Sequence, residues 1–298
     1  MPEVVLSVQN LNKFYKKFHA VKDVTFDVHK GEVVGFIGPN GSGKSTTMKC
    51  IASLLIPSSG TITVLDKDIV KDREEALSHQ ASLIEAPGLY LDIKGIDNLK
   101  LFGQLRNVSK ERIQEVVEII DIGNFINRKV SEYSLGMKQR LAIGIVLLSE
   151  PKFIILDEPT NGLDPTGVKE LRELIQSLSK DGVSVLFSSH QLGEIEKIAD
   201  RIICINHGEL VPFESNVSDH KNYKLDLTGD MSQLNDLLKD IDNIVSIEIE
   251  DNSLKIMTSE NDTLNQIITI LVANNYTIND ISNELISIED LYLEIFGN

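Results

Sequence analysis

Basic residues are scarce in this chain of 298 residues: 29 Lys and Arg stand against 45 Asp and Glu, a formal net charge of −16. An acidic surface repels phosphate backbones and anionic membranes, which excludes broad nucleic-acid or lipid binding unless a local basic patch offsets it. Long apolar runs are missing as well. The stretch from Ile143 to Leu148 is a handful of residues, whereas a membrane-spanning helix needs roughly 20. Met1-Pro2-Glu3 lacks a basic leader, and Val4-Val5-Leu6-Ser7-Val8 is too short and too β-branched for the apolar core of a signal peptide. No signal peptide is expected, and the cytoplasm is the expected compartment. Cysteine is confined to Cys50 and Cys204, which are far apart and have neither CxxC nor metal-ligand spacing. They read as two buried structural thiols.

What is present divides into two regions. Apolar content of 42% is ordinary for a globular protein, and this length predicts about two domains. Residues 1–214 carry 25 basic and 29 acidic side chains, net −4, whereas residues 215–298 carry 4 and 16, net −12. In the first region, residues 4–8, 24–28, 33–37, 60–65, 153–156 and 183–188 read as strands, and residues 45–55 read as a helix. Several of these strands precede a polar turn and a helix, which predicts an α/β fold with a mixed, largely parallel sheet. Between Arg73 and about residue 150 the pattern is mostly helical, as an insert. After Pro212 the order becomes strand, helix, strand, strand, helix, strand, which predicts a small α+β domain of ferredoxin-like type. Ser287 to Phe296 reads as a capped terminal helix.

Gly38-Pro39-Asn40-Gly41-Ser42-Gly43-Lys44-Ser45-Thr46 fits the pattern GxxxxGKS/T between a strand ending at Ile37 and a helix beginning near Ser45. That strand-to-helix frame is the context in which this pattern forms a P-loop. Glycines let successive backbone N–H groups turn around a phosphate, and the helix N-terminus adds a favourable dipole. Lys44 would neutralise β- and γ-phosphate oxygens, and the Ser45 hydroxyl would ligate Mg²⁺. ATP or GTP is the expected ligand. Phe153-Ile154-Ile155-Leu156 ends in Asp157-Glu158, where Asp157 would hold the metal and Glu158 would act on the attacking water as general base.

With these motifs in place, the chain resembles the nucleotide-binding subunits of ABC transporters over roughly residues 3–214. Tyr133-Ser134-Leu135-Gly136-Met137-Lys138-Gln139-Arg140 stands where the family's LSGGQ signature falls, and Asn161-Gly162-Leu163-Asp164 resembles its D-loop. His190 resembles the switch histidine, and Tyr15 resembles the aromatic residue that stacks on adenine, with Phe18 as second candidate. Glu85 stands where the family has its Q-loop glutamine, an added charge near the metal. The resemblance implies a P-loop ATPase fold, a composite site in which Ser134, Gly136 and Asp164 meet ATP held by an opposite subunit, and Glu85 near Mg²⁺. It also implies a homodimer, or pairing with a related cassette, on the inner face of the cell membrane. Catalysis would rest on Glu158, His190 and Lys44, with ATP and Mg²⁺ as cofactors.

The stretch from Ile84 to Tyr90 and the form of the signature resemble cassettes of the bacitracin and lantibiotic self-protection type, and exporters of amphipathic peptide toxins. This implies an ATPase subunit that drives a separate polytopic permease, with the permease, not this chain, touching the peptide. The helical insert would receive the permease. The alternative class is an ABC ATPase acting on ribosomes or DNA. Against it stand the single cassette, the absence of long coiled coils between the motifs and the low positive charge, so no nucleic-acid partner is expected. The acidic region 215–298 is expected to support dimer contact or regulation.

Overall fold

The computed structural model describes residues 3–84, 88–189, 192–211, 221–239, 241, 243–250, 253–258 and 263–283. Contacts divide the chain into two compact units, residues 1–213 and 214–298.

The first unit opens with β1 (Val4–Tyr15) and β2 (Phe18–His29), a hairpin closed by Lys16 in the left-handed region at φ 55°. The expected strands 4–8 and 24–28 are thus parts of longer ones. Polar positions such as Asn10 and Asp23, both with positive φ, interrupt the alternation at irregular register and hide the strand continuation in the sequence. Next come β3 (Val33–Ile37) and α1 (Lys44–Ile51). Positive φ at Ser53 marks the turn after α1, short of residue 55. Then follow β4 (Ser59–Val64), β5 (Lys67–Asp68), α2 (Arg73–Ser78) and β6 (Gln80–Leu83).

Strand β6 corrects the expectation of a helical insert from 73 onward. It pairs in parallel with β7 (Phe153–Leu156) at the edge of the main sheet. Its Gln-Ala-Ser-Leu sequence lacks the continuous apolar character of the equally short central strand β7. Helices proper follow it: α3 (Gly95–Leu105), α4 (Lys110–Ile120) and α5 (Leu135–Leu147). Beyond β7 lie α6 (Pro165–Lys180), β8 (Ser184–Ser188), α7 (Leu192–Ile198), β9 (Arg201–Asn206) and β10 (Glu209–Val211).

Two sheets result. The order β2-β1-β4-β5 is antiparallel, and the order β10-β9-β3-β8-β7-β6 is parallel except for β10. Every residue of β3, β7 and β8 is buried, which is why these strands read as continuous apolar runs rather than alternating ones. A core of Leu6, Val8 and Phe26 from the antiparallel sheet, Phe36 and Ile155 from the parallel one, and Met48 and Ile51 from α1 packs the layers together. The parallel register aligns the carboxyl ends of β3, β8 and β7, placing residues 38, 157 and 189 at one rim of the sheet. Open α/β sheets bind their ligands at this rim.

The second unit contains β11 (Lys221–Thr228), α8 (Leu234–Leu238), β12 (Ile244–Glu250), β13 (Ser253–Thr258), α9 (Thr263–Ala273) and β14 (Thr277–Asn283). Its antiparallel sheet has the order β12-β13-β11-β14, the arrangement of a split βαβ domain. Leu225, Leu227, Leu254 and Ile256 face Leu234, Leu238, Ile267 and Leu271 in its core. The expected terminal helix 287–296 lies outside the described residues.

Candidate functional site

The loop from Gly38 to Gly43 joins the centre of the parallel sheet to α1. Gly38 and Gly43 have φ of 153° and 111°, and a Cβ on Gly43 would meet the Ala20 carbonyl oxygen at 2.8 Å. No larger residue fits that approach without a shift. The Ser42 hydroxyl is buried and has no hydrogen-bond partner in the structure, which leaves a polar atom within the loop for a ligand to satisfy.

Lys44 starts α1 and is 8% exposed. Its ammonium donates to the Gly38 and Pro39 carbonyl oxygens at 2.6 and 3.2 Å. Burial pushes its pKa below the ordinary lysine value, against the neighbouring negative charges of Glu158 and Asp157, which act to raise it. Lys44, Asp157 and Glu158, named from three separate motif positions, are therefore brought into one electrostatic neighbourhood.

Asp157 and Glu158 follow β7. The Asp157 amide donates to the Leu83 carbonyl at 2.9 Å, so β6 continues to pair where the first carboxylate begins. Glu158 takes φ of 51°, in the left-handed region, a conformation that costs a non-glycine residue about 1 kcal/mol or more. The Asn161 amide donates to the Glu158 carbonyl at 3.1 Å, closing the turn that begins at Glu158. Ser188, at the end of β8, accepts from the Glu158 amide at 2.9 Å and donates to Asp157 Oδ1 at 2.7 Å. Residue pattern does not single out this hydroxyl, which reads only as the last, polar residue of the expected strand 183–188.

Among the described residues no group of three or more His, Cys, Asp or Glu forms a metal cage. Ser45 and Asp157 supply hard oxygen donors, the set that fits Mg²⁺, which is usually held by one or two protein oxygens together with substrate phosphates. The two other residues expected at this site, Glu85 and His190, lie outside the described residues.

A second group forms where α5 and α6 begin. Ser134 caps α5 by accepting from the Met137 amide at 3.2 Å, and Asp164 caps α6 by accepting from the Gly167 amide at 3.0 Å. A Cβ on Gly136 would lie 3.6 Å from Gly167 Cα, and one on Gly162 would lie 3.0 Å from Leu135. The signature and D-loop segments therefore pack on each other within this chain. The Asp164 carboxylate is engaged in this local cap. Tyr133 is buried and donates to the Phe125 carbonyl at 2.6 Å, so this departure from the leucine of LSGGQ is a packing residue.

Tyr15 is 45% exposed, with Lys13 Nζ 5.4 Å from its ring centroid, and Phe18 is its cross-strand partner. Phe14 instead stacks on His19 at 3.8 Å. From Phe18 the chain runs two residues to Ala20, whose carbonyl faces Gly43. This hairpin thus adjoins the phosphate loop.

A model of the ABC transporter family matches residues 21–161. The bacitracin transport ATP-binding protein BcrA of Bacillus licheniformis is 32% identical over 298 residues, covering 98% of this chain and 97% of that protein. That likeness runs through the second compact unit. The lantibiotic transport ATP-binding protein SrtF of Streptococcus pyogenes is 42% identical over 210 residues, covering 70% of this chain and 89% of that protein. Among solved structures, the ATP-binding cassette MJ0796, a dimeric post-hydrolysis state bound to ADP and Pi, matches with a TM-score of 0.60 at 26% identity. It covers 70% of this chain and 97% of that one.

Proposed function

This chain belongs to the ABC transporter ATP-binding proteins, whose cassettes bind nucleotide and couple ATP hydrolysis to transport, and on that premise we propose that it powers a separate membrane permease exporting antimicrobial or amphipathic peptides. The observation that carries the peptide reading is the near full-length likeness to a bacitracin transport subunit, joined by the likeness to a lantibiotic one. Among the described residues no helix is long and apolar enough to cross a membrane. In this reading the spanning path belongs to the permease.

The chain's own residues divide the work. Backbone N–H groups of residues 40–46, in the loop shaped by Gly38 and Pro39, and the Lys44 ammonium hold the phosphates, while the ring of Tyr15 stacks on adenine. Glu158 accepts a proton from the water that attacks the γ-phosphorus, and His190 assists. Ser45, Asp157 and Glu85 would hold Mg²⁺, which would supply positive charge to the phosphate oxygens. Ser134, Gly136 and Asp164 face the nucleotide of an opposite cassette, so ATP binding joins two subunits and hydrolysis lets them part. The opposite cassette is a second copy or a related chain. The acidic unit after residue 213 supports that contact or its regulation.

Two measurements test this reading. Purification from membranes is expected to bring down a polytopic membrane protein, and recovery with ribosomes and no membrane partner refutes the transport role. Glu158→Gln is expected to slow turnover by at least about 100-fold and to trap an ATP-bound dimer. Unchanged phosphate release removes Glu158 from the base role.

A further inference from the structure

Strand β8 lies between β3, which leads into the phosphate loop, and β7, which leads into Asp157 and Glu158. Its last residue, Ser188, is fully buried. A buried hydroxyl has a single proton to give, and here its direction is fixed. The Glu158 amide donates to Ser188 Oγ at 2.9 Å, and Ser188 Oγ donates to Asp157 Oδ1 at 2.7 Å. Accepting from an amide polarises the hydroxyl and strengthens its bond to a carboxylate. One atom of a neighbouring strand thus orients one carboxylate and the backbone of the next.

That backbone needs support. Glu158 sits in the left-handed region at φ 51°, which a non-glycine residue keeps only where its surroundings over-determine it. The next residue of β8's exit, Ser189, has its Oγ 3.3 Å from Thr160 Oγ1, so the same two chain segments are joined again two residues beyond Glu158.

We propose that Ser188 is a positioning residue for ATP hydrolysis: its hydroxyl sets the orientation of the Asp157 carboxylate and of the Glu158 peptide together. The inference rests on the assignment of Asp157 to metal holding and Glu158 to the base role. Groups that orient a metal-holding carboxylate typically change affinity or activity about 10- to 100-fold when removed. Ser188→Ala is therefore expected to lower kcat by about 10- to 100-fold and to raise the Mg²⁺ concentration needed for half activity, with ATP affinity within about twofold of the parent.

The decisive comparison is between Ser188→Thr and Ser188→Val, which have the same shape and differ by the hydroxyl. Threonine should restore most of the turnover and valine should not. Amide exchange of Glu158, followed by NMR on the full chain without nucleotide or metal, supplies a readout apart from activity. It should speed up about 10-fold or more in the Val and Ala variants and remain near the parent rate in the Thr variant. Equal kcat, Mg²⁺ dependence and exchange in the Thr and Val variants overturns the proposal, including where Ser188→Ala fails to fold. If Glu158→Gln keeps its turnover, the base assignment fails. If Glu158→Gln has lost turnover while Ser188→Ala keeps it, the assignment stands and this inference fails.

Discussion

Arg140 joins three helices, and its removal has a cost that follows from its partners. It lies on α5, one to two turns after the Ser134 cap, with its side chain 15% exposed. One guanidinium nitrogen donates to the Asp121 and Ile120 carbonyl oxygens at 2.7 and 3.2 Å, and the other meets Glu170 of α6 at 3.0 Å. Those two carbonyls belong to the end of α4, where unsatisfied acceptors and the negative end of the helix dipole favour a cation. A hydrogen bond from a charged donor contributes about 1.5–3 kcal/mol. The ion pair adds less than about 1 kcal/mol, because Glu170 is 45% exposed and screened by solvent. Arg140→Met keeps the packing of the stem and should therefore cost about 2–4 kcal/mol. In a unit of this size each kcal/mol lowers the melting temperature by roughly 2–4 °C, so a drop of about 4–16 °C is expected. Glu170→Gln is the comparator and should cost less than about 1 kcal/mol. Urea and thermal denaturation of the full chain, followed by a probe of the first unit, measure both. A cost below about 1 kcal/mol for Arg140→Met, or an equal cost for the two variants, would refute the assignment of the main contribution to the α4 carbonyls.

Tyr133→Phe removes the hydroxyl that reaches the Phe125 carbonyl and should cost about 1–2 kcal/mol in urea denaturation. A methyl on Gly95 would collide with that same hydroxyl, so Gly95→Ala should be destabilising on its own and less so in the Tyr133→Phe background; strict additivity counts against the contact. Burial raises the Cys50 and Cys204 thiols from 9.0 to about 11 and about 12. The folded state then retains protons that the unfolded chain releases, so this contribution is whole below pH 9 and is lost as pH climbs through the folded values. The expected slope is about 1.4 kcal/mol per thiol per pH unit within that window. Because the lowered Lys44 acts in the opposite sense just below 10.5, the thiol effect is read as the difference in urea-midpoint slope between the parent and Cys50→Ala or Cys204→Ala; identical slopes contradict it.

The phosphate loop was legible because its pattern is local: glycine spacing, a preceding apolar run and a following helix occupy one short segment. Strands β3, β7 and β8 were legible for a related reason, since burial on both faces leaves an uninterrupted apolar signature. Edge strands carry no such mark. Gln80 and Ser82 in β6 form a strand through pairing with the distant β7, and the polar stretch Gln9 to Tyr15 in β1, which lies inside its sheet between β2 and β4, is masked by register shifts, neither of which residue pattern alone encodes. Ser188 was hidden for the same reason. Its meaning lies in two bonds to residues 30 and 31 positions away.

Long-range bonds also explain how the helical insert and the sheet rim that carries Asp157 and Glu158 are made into one mechanical piece. Helix α5 carries Ser134 and Gly136 at its start, and only a few residues separate its end from β7, which delivers Asp157 and Glu158. Thirteen residues of helix span about 20 Å at 1.5 Å per residue, so the segment around Ser134 and the strand that leads to Asp157 lie at opposite ends of one rigid element. Three arginines fix that element to its neighbours. Arg140 ties α5 to the end of α4, while Arg106 and Arg112 donate to the Ile145 and Leu147 carbonyls at the end of α5, at 2.6 and 2.7 Å. The two antiparallel helices α4 and α5 thus cap each other's carboxyl ends with cations. A displacement imposed on α3 and α4 must carry α5 with it or break charge-assisted bonds at both ends. The position of the signature segment is consequently bound to the orientation of the strand that delivers Asp157, and a push received by the insert reaches the carboxylates through covalent chain as well as through packing.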